Sequence, residues 1–438
     1  MFENILGQPA SDQLKLDIAN NSLAPSLLFY GPKSSGKGSA ALELARVISC
    51  ESKASWNCAC TSCARHRLLL HPDLMCLGSR SFSAEIAAAG NAFLREIDSV
   101  PAKLLFIRAV RKLLARFNQA LEEESKLSKL AHLVLSLEEE LDELETADSA
   151  EEKHVNAVIK NAYKLESDGI GSTIPIEHIR RAAYWSHLAP SGKRKLLLIE
   201  NAGSMKDSAK NSLLKLLEEP PPSVTIALTA VRPNALLPTI LSRLRPYRFT
   251  ARSEETEKEV IRRVFRSDVS FENNSQGRHS LINSYLDSFL PVQGETLKSL
   301  AAFFTASAAF NAAFLLKKQG IQNLPAELVL LGKFSTTIAE AAGLEKTRDS
   351  REIIAKVLDE TSNFEVRSMF TRFISLLMAV VLDSLKTSSS HSTCVITFLD
   401  LWKKYTGETE TAAMIYNQNP GLALERLFVC VSRGMAGL

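Results

Sequence analysis

The 438-residue sequence contains no run of eighteen or more apolar residues, so no membrane span is read from it. Its first stretch, MFENILGQPASDQ, lacks a basic region followed by an apolar one, so no signal peptide is read there. A cytoplasmic location without membrane association is the expectation. Excess charge of one sign is lacking too. A net charge of +3 does not argue for nucleic acid across the whole surface, and any DNA contact has to be a local patch. Glycine and proline are both missing between Lys103 and Ser167, which excludes ordinary turn chemistry from that stretch. Cysteine is scarce. There are seven, an odd number, and four of them crowd between Cys50 and Cys63. In a reducing compartment such crowding points to metal rather than disulfides. What remains is 45% hydrophobic and 23% charged, the composition of a globular chain of two or three domains.

Short apolar runs alternate with helical periodicity in two blocks. SLLFY (26–30) reads as a buried strand that ends at Gly31, and SAALELARVI behind it reads as a helix. HPDLMCLG (71–78), KRKLLLIENA (193–202) and SVTIALTA (223–230) read as further strands. KDSAKNSLLKLLEE (206–219) is an amphipathic helix stopped by Pro220, Pro221 and Pro222. This alternation predicts a parallel α/β sheet with a ligand loop at the strands' carboxyl ends.

Four groups of residues carry chemistry. The first is LLFYGPKSSGKGS, in which Gly31, Gly36 and Lys37 fit the phosphate-loop pattern G-x-x-x-x-G-K-[ST]. The hydroxyl that should follow is missing, because Gly38 stands there and Ser39 comes one place late, about 100° further round a helix. Nucleotide binding with Mg2+ is conceivable on this loop, and efficient hydrolysis is not expected. The second is the end of LLLIEN. Glu200 stands where an acid holds magnesium, and Asn201 stands where a second acid activates water. An amide orients water but does not take its proton. The third is Cys50, Cys58, Cys60 and Cys63, spaced C-x7-C-x-C-x2-C, a set suited to tetrahedral structural zinc, with His66 as a possible replacement ligand. The fourth is LLPTILSR (236–243), where Pro238 starts a short helix and Arg243 follows it, either an ordinary surface arginine or one offered to a neighbouring subunit.

The stretch from about 81 to 170 interrupts the α/β pattern. Ile107, Val110, Leu114, Phe117 and Leu121 step by three and four. Leu127, Leu130, Val134, Leu137, Leu141 and Leu144 form a heptad seam, with a phase slip at EEESK (122–126) between the two series. A second helix is expected from Ser149, with Glu152 completing a capping box. The pattern predicts an inserted helical hairpin arm with a coiled-coil face, either solvated or available to a partner. Beyond residue 250 the chain reads as helical, and SMFTRFISLLMAVVLDSLK (368–386) is apolar enough to be buried in a bundle. GRHS (277–280) holds one histidine beside an arginine and no catalytic constellation.

Taken together, FENILGQ (2–8), the phosphate loop, the cysteines, HPD (71–73), NSLLKLLEEPPP (211–222) and LLPTILSR resemble the clamp loader of bacterial DNA polymerase III. This is the AAA+ family that contains the gamma/tau and delta-prime subunits. The resemblance covers roughly 1–80 and 172–250. It implies a nucleotide-binding-like domain over 1–250 with a zinc module at about 50–66, a helical lid over 251–290 and an all-α collar over 291–438 that builds a ring. It implies that Gly7 and Gln8 lie near the adenine and that Arg243 acts in trans on a neighbour's ATP, an effect worth about 10³–10⁵ in rate in other systems. The implied partners are other clamp-loader subunits, the sliding clamp and, through the complex, primed DNA. Gly38, Glu200, Asn201, Ala230 and Val231 depart from the hydrolysing pattern while Arg243 is kept, which favours a non-hydrolysing delta-prime-like subunit. The alternatives are an active gamma/tau-type ATPase using Ser39 and Glu200, and a scaffold that recruits partners through the arm.

Overall fold

The buried apolar runs are strands of one parallel sheet. The computed structural model describes residues 1–118, 120–121, 124–147, 151–171, 173–268, 280–362, 367–385, 393–414, 416 and 418–437. Helix α1 (Pro9–Ala19) leads to β1 (Ser26–Tyr30), and the glycine loop after β1 opens α2 (Lys37–Ser49). The cysteine-bearing loop and α3 (Thr61–Arg67) precede β2 (Leu74–Gly78). The insertion supplies α4 (Ser83–Arg95), α5 (Val100–Leu114), α6 (Glu124–Thr146) and α7 (Glu152–Gly169). The sheet resumes with α8 (Ile176–His187), β3 (Lys195–Glu200), α9 (Asp207–Glu218), β4 (Val224–Ala230), α10 (Pro238–Leu241) and β5 (Arg245–Arg248). Helices α11 (Glu254–Phe265) and α12 (Leu281–Asp287) follow.

The strand order is β2-β3-β4-β1-β5, all parallel. Every residue of β3 and β4 is buried, as strands covered on both faces must be. One face packs α8 and α9 through Ile179, Trp185, Leu213 and Leu216. The other packs α1 and α2 through Leu14, Ala41, Leu44 and Ala45. This is the α/β phosphate-loop fold that the sequence pattern predicts. The pattern gives no sign of β5, a four-residue strand holding Pro246 and two arginines. Proline is tolerated there because β5 lies on the sheet's edge.

Helices α6 and α7 pack on each other as the expected hairpin does, but α4 and α5 join them. Helix α5 stops at Leu114, although Phe117 and Leu121 beyond it are buried. All four helices share a core: Phe93, Phe106, Val110, Leu130, Leu137, Leu141, Leu144, Val155, Val158 and Leu165 meet in one cluster. From Leu130 to Leu144 the heptad seam of α6 therefore packs inside a four-helix arm, and the side chain of Leu127 lies outside the described residues. The slip at EEESK involves residues 122 and 123, which lie outside the described residues, as does Ser149 of the expected capping box. Helix α7 starts behind Glu151, which makes no side-chain cap. The arm also has a second contact. Ala88 and Ala92 of α4 pack with Ile261 and Phe265 of α11 and with Ile282 and Tyr285 of α12. Arg95 donates to the Phe265 carbonyl at 2.9 Å, and Arg266 pairs with Glu96. The histidine of GRHS, His279, lies outside the described residues.

The chain divides into two compact units, Met1–Phe289 and Leu290–Leu438. The second is helical throughout: α13 (Gly294–Lys318), α14 (Ala326–Ala341), α15 (Ser350–Glu360), α16 (Arg367–Leu385), α17 (Thr393–Met414) and α18 (Pro420–Ala436). Helix α13 is long and apolar enough to cross a membrane by length and composition, a feature the run-length reading missed because polar residues punctuate it. Most of it is buried, and Phe304 at its middle packs edge-on against Phe373 of α16 and Phe428 of α18. It is the core helix of this bundle.

Leu137 is wholly buried in the arm's core. Leu137→Ala is expected to destabilise the arm by about 2–5 kcal/mol. The expected signature is faster amide exchange in α6 and α7, with exchange in β3 and β4 unchanged.

Candidate functional site

The loop between β1 and α2 has the backbone of a phosphate cradle. Gly31 (φ 146°) lies where a Cβ would collide with the Phe249 carbonyl, and Gly36 (φ 93°) is the left-handed cap of α2. The side chains around it are engaged by the chain itself. Lys37 Nζ donates to the carbonyls of Gly31 (2.8 Å) and Pro32 (2.5 Å) and to Ser35 Oγ (3.3 Å). Burial lowers the Lys37 pKa to about 8, against the pull of Glu200. Arg252 donates to the carbonyls of Leu6 (2.9 Å) and Ser34 (2.6 Å), and Ser34 Oγ donates to Asn283 of α12. Gln8 is buried and its amide is spent on Thr250, donating to its carbonyl and accepting from its N–H, both at 2.9 Å. Gly7 (φ 64°) turns the chain beside Thr256. These two residues clasp the N-terminal segment to the exit of β5.

Gly38, not Ser39, faces the acidic strand end, and Ser39 is exposed. A Cβ on Gly38 would sit 2.5 Å from Glu200 Oε1. Glu200 is buried, and both of its oxygens are taken. Arg80 donates to Oε1 at 3.2 Å and Arg116 donates to Oε2. Arg80 and Lys112 both pair with Glu85. The Arg80 and Arg116 guanidiniums also lie over the Phe82 ring, 4.9 and 5.3 Å from its centre. Burial pushes the Glu200 carboxyl up, but Arg80, Arg116 and Lys112 outweigh it and hold its pKa below the usual range. Lys112 is pushed well below the usual lysine value, first by burial and then by Arg80 and Arg108. Sequence reasoning missed Arg80, Lys112 and Arg116 altogether, since they belong to a segment without motif.

Magnesium at this strand end is tested by its donors. The fold family places a hydroxyl and an acid there, and this chain offers no hydroxyl at 38 and a carboxylate already bound by two cations. The residues do not fit the ion. Asn201 is no better suited to activating water. It is exposed and left-handed (φ 54°), a conformation that asparagine tolerates. Its N–H donates to Thr229 Oγ1 at 3.1 Å and its side-chain amide reaches Ser79 at 3.4 Å.

The four cysteines do converge. Their sulfurs lie within 4.8 Å of one another, with Cys50 to Cys58 at 3.6 Å and Cys50 to Cys60 at 3.9 Å. Tetrahedral Zn–S bonds put sulfurs about 3.8 Å apart. The sulfurs accept from Ser52 N and Ala54 N on Cys50 (3.3 Å each), from Cys63 N on Cys60 (3.4 Å) and from Arg46 on Cys63 (3.2 Å). Donors aimed at sulfur favour thiolate, so the set fits a zinc ion. His66 is not part of it. The ring is buried and stacked on His71, with centres 4.0 Å apart, and neither of its nitrogens has a hydrogen-bond partner among the described residues. Burial, then His71, depresses the His66 pKa to about 3. The HPD triplet acts as a brace. Asp73 accepts from the N–H groups of Ser191 (2.9 Å) and Gly192 (2.7 Å), which fixes the entry to β3.

Arg243 is exposed just beyond α10. It donates to the Thr239 carbonyl and to Glu218 Oε1, each at 2.7 Å. An exposed pair of this kind is weak, so Glu218 holds the guanidinium loosely.

Three comparisons bear on this architecture. The family model described as DNA polymerase III, delta subunit, matches residues 7–253, more than half of the chain. The DNA polymerase III subunit delta' of Pseudomonas aeruginosa is 37% identical over 82 residues, which are 18% of this chain and span a quarter (25%) of that relative. A crystal structure of a DNA polymerase III gamma subunit-related protein from Thermotoga maritima aligns over 97% of this chain and 99% of its own, at 16% identity and a TM-score of 0.34.

Because residue 38 abuts the Glu200 carboxylate, Gly38→Thr does not rebuild a metal site. The expected result is a lower melting temperature and no gain in ATP hydrolysis. A gain in magnesium-dependent turnover would contradict this reading of the geometry.

Proposed function

The chain belongs to the DNA polymerase III delta-subunit family, and from that membership we propose that it is a clamp-loader subunit of the delta-prime kind. It helps load the sliding clamp on primed DNA within a ring of related subunits and does not hydrolyse ATP itself. It is a component of the DNA polymerase holoenzyme and works in the cytoplasm.

The observation that carries the non-hydrolysing role is the engagement of Glu200 by Arg80 and Arg116 opposite Gly38. Hydrolysis requires a metal between the strand-end acid and the phosphates, and an activated water. Here the acid is neutralised from within and Asn201 offers no base. The phosphate loop, tied by Lys37, Arg252 and Ser34, serves as a rigid turn rather than a turnover site. The gamma-type reading asks Ser39 to ligate magnesium, and that residue is exposed and not beside Glu200.

Arg243 acts on the neighbour. Its exposure and weak tether to Glu218 suit a guanidinium that leaves one carboxylate for a phosphate on another subunit. The cysteines hold structural zinc, which supplies cross-linking of the 50–63 loop and no chemistry. Arg46 joins that loop to α2, since it also pairs with Glu43 inside the fold.

Two outcomes are expected. In a reconstituted clamp loader, Arg243→Ala sharply slows ATP turnover while Lys37→Ala leaves it unchanged. Loss of turnover with Lys37→Ala would put hydrolysis back in this chain. The purified protein is expected to carry one zinc per chain by metal analysis, released by a thiol-modifying reagent and lost in Cys60→Ser.

A further inference from the structure

At the carboxyl end of the sheet Glu200 receives Arg116 from the inserted arm and Arg80 from the turn before it. We propose that the chain itself supplies the cation at this position: the guanidiniums of Arg80, in the turn before the arm, and Arg116, within the arm, stand in for a divalent metal, and Glu200 binds none. This deepens the non-hydrolysing reading and rests on it for its consequence, although it concerns metal and arm rather than turnover.

The contact has the features of a built site. Arg116 and Glu200 are both buried, at 5% and 6% exposure. Phe82 lies against both guanidiniums and is itself fixed by the buried Glu166, which accepts from Phe82 N (3.1 Å) and Ser83 Oγ (2.8 Å). Charge is matched locally. Arg80 and Arg116 face Glu85 and Glu200, two cations against two carboxylates. Lys112 is the odd cation, and it is the one that burial drives toward the neutral form.

Residue 38 ties the substitution to the loop. A Cβ there would sit 2.5 Å from Glu200 Oε1 and 3.5 Å from Arg80 Nη1. Glycine at 38 and the two arginines are therefore parts of one arrangement. A metal ion entering here would have to displace both guanidiniums from Glu200 and leave the buried Arg116 without its carboxylate partner. The same arm reaches α11 and α12 through α4. It thus links the sheet end to those helices without needing metal or nucleotide between them.

The test is Mn2+ binding by the full-length chain, followed by electron paramagnetic resonance with and without ATP, for wild type and Glu200→Gln. The expected result is no Mn2+ whose binding depends on Glu200, up to about 1 mM. One Mn2+ bound by wild type and lost in Glu200→Gln overturns the proposal, whatever the ATPase assays show. Arg116→Gln, read by amide exchange, covers the case in which Glu200→Gln does not fold. It is expected to speed exchange across residues 100–114 by about tenfold or more, with no effect of added Mg2+. Unchanged exchange overturns the proposal. Conversely, loss of turnover on Lys37→Ala in the assembled ring would sink the functional reading while leaving these results as they stand.

Discussion

A single buried carboxylate organises the first half of this molecule. Glu200 ends strand β3, which is flanked by β2 and β4, and lies out of solvent, where an unpaired charge is costly. Two guanidiniums from outside the sheet answer it, one from the turn after β2 and one from just beyond α5. Those contacts fix where the arm sits, and Phe82 and Glu166 follow from that placement. Replacing a buried ion pair by apolar residues is often neutral, whereas removing one partner is expensive. The pair therefore specifies a position for the arm more than it adds stability, and the position it specifies is the one a catalytic metal would need.

A second buried pair does comparable work on the opposite side of α2. Glu43 and Arg46 stand three residues apart on a helix whose surroundings are apolar. Glu43 accepts from Phe2 N, and Arg46 reaches Cys63 Sγ and the carbonyls of Ala54 and Ser55. One helix thus carries the phosphate loop at its start, an anchor for the N-terminal segment and a donor to the cysteine cluster. Loop, N-terminus and cysteine cluster are consequently held in fixed relation by α2.

Much of this was legible in the chain. Apolar runs ending at Gly31 and Glu200 gave the sheet, because strands buried on both faces leave little polar alternation to mislead. The cysteine spacing gave the cluster, because thiolates close in sequence have few other reasons to crowd. Strand β5 was not legible, since Arg245, Pro246 and Arg248 hide an edge pairing that only the register with β1 reveals. The arm's fold was legible only in part. The seam from Leu130 to Leu144 marks a helix, but periodicity does not say that Phe93 and Phe106 complete its core. Least visible was the arm's role at the site. Arg80, Lys112 and Arg116 match no motif, and what joins them to Glu200 is tertiary packing. The missing hydroxyl at Gly38 was the sequence's only trace of it, and its reason, the closeness of Glu200, is spatial.

The central claim is that this strand end carries its cation within the chain. The most direct measurement is a crystal structure grown with manganese and ATP, with the metal located by its anomalous scattering. The account predicts no manganese at Glu200 and both arginines still on its carboxylate. A manganese peak bonded to Glu200, with Arg80 and Arg116 turned away, would contradict it.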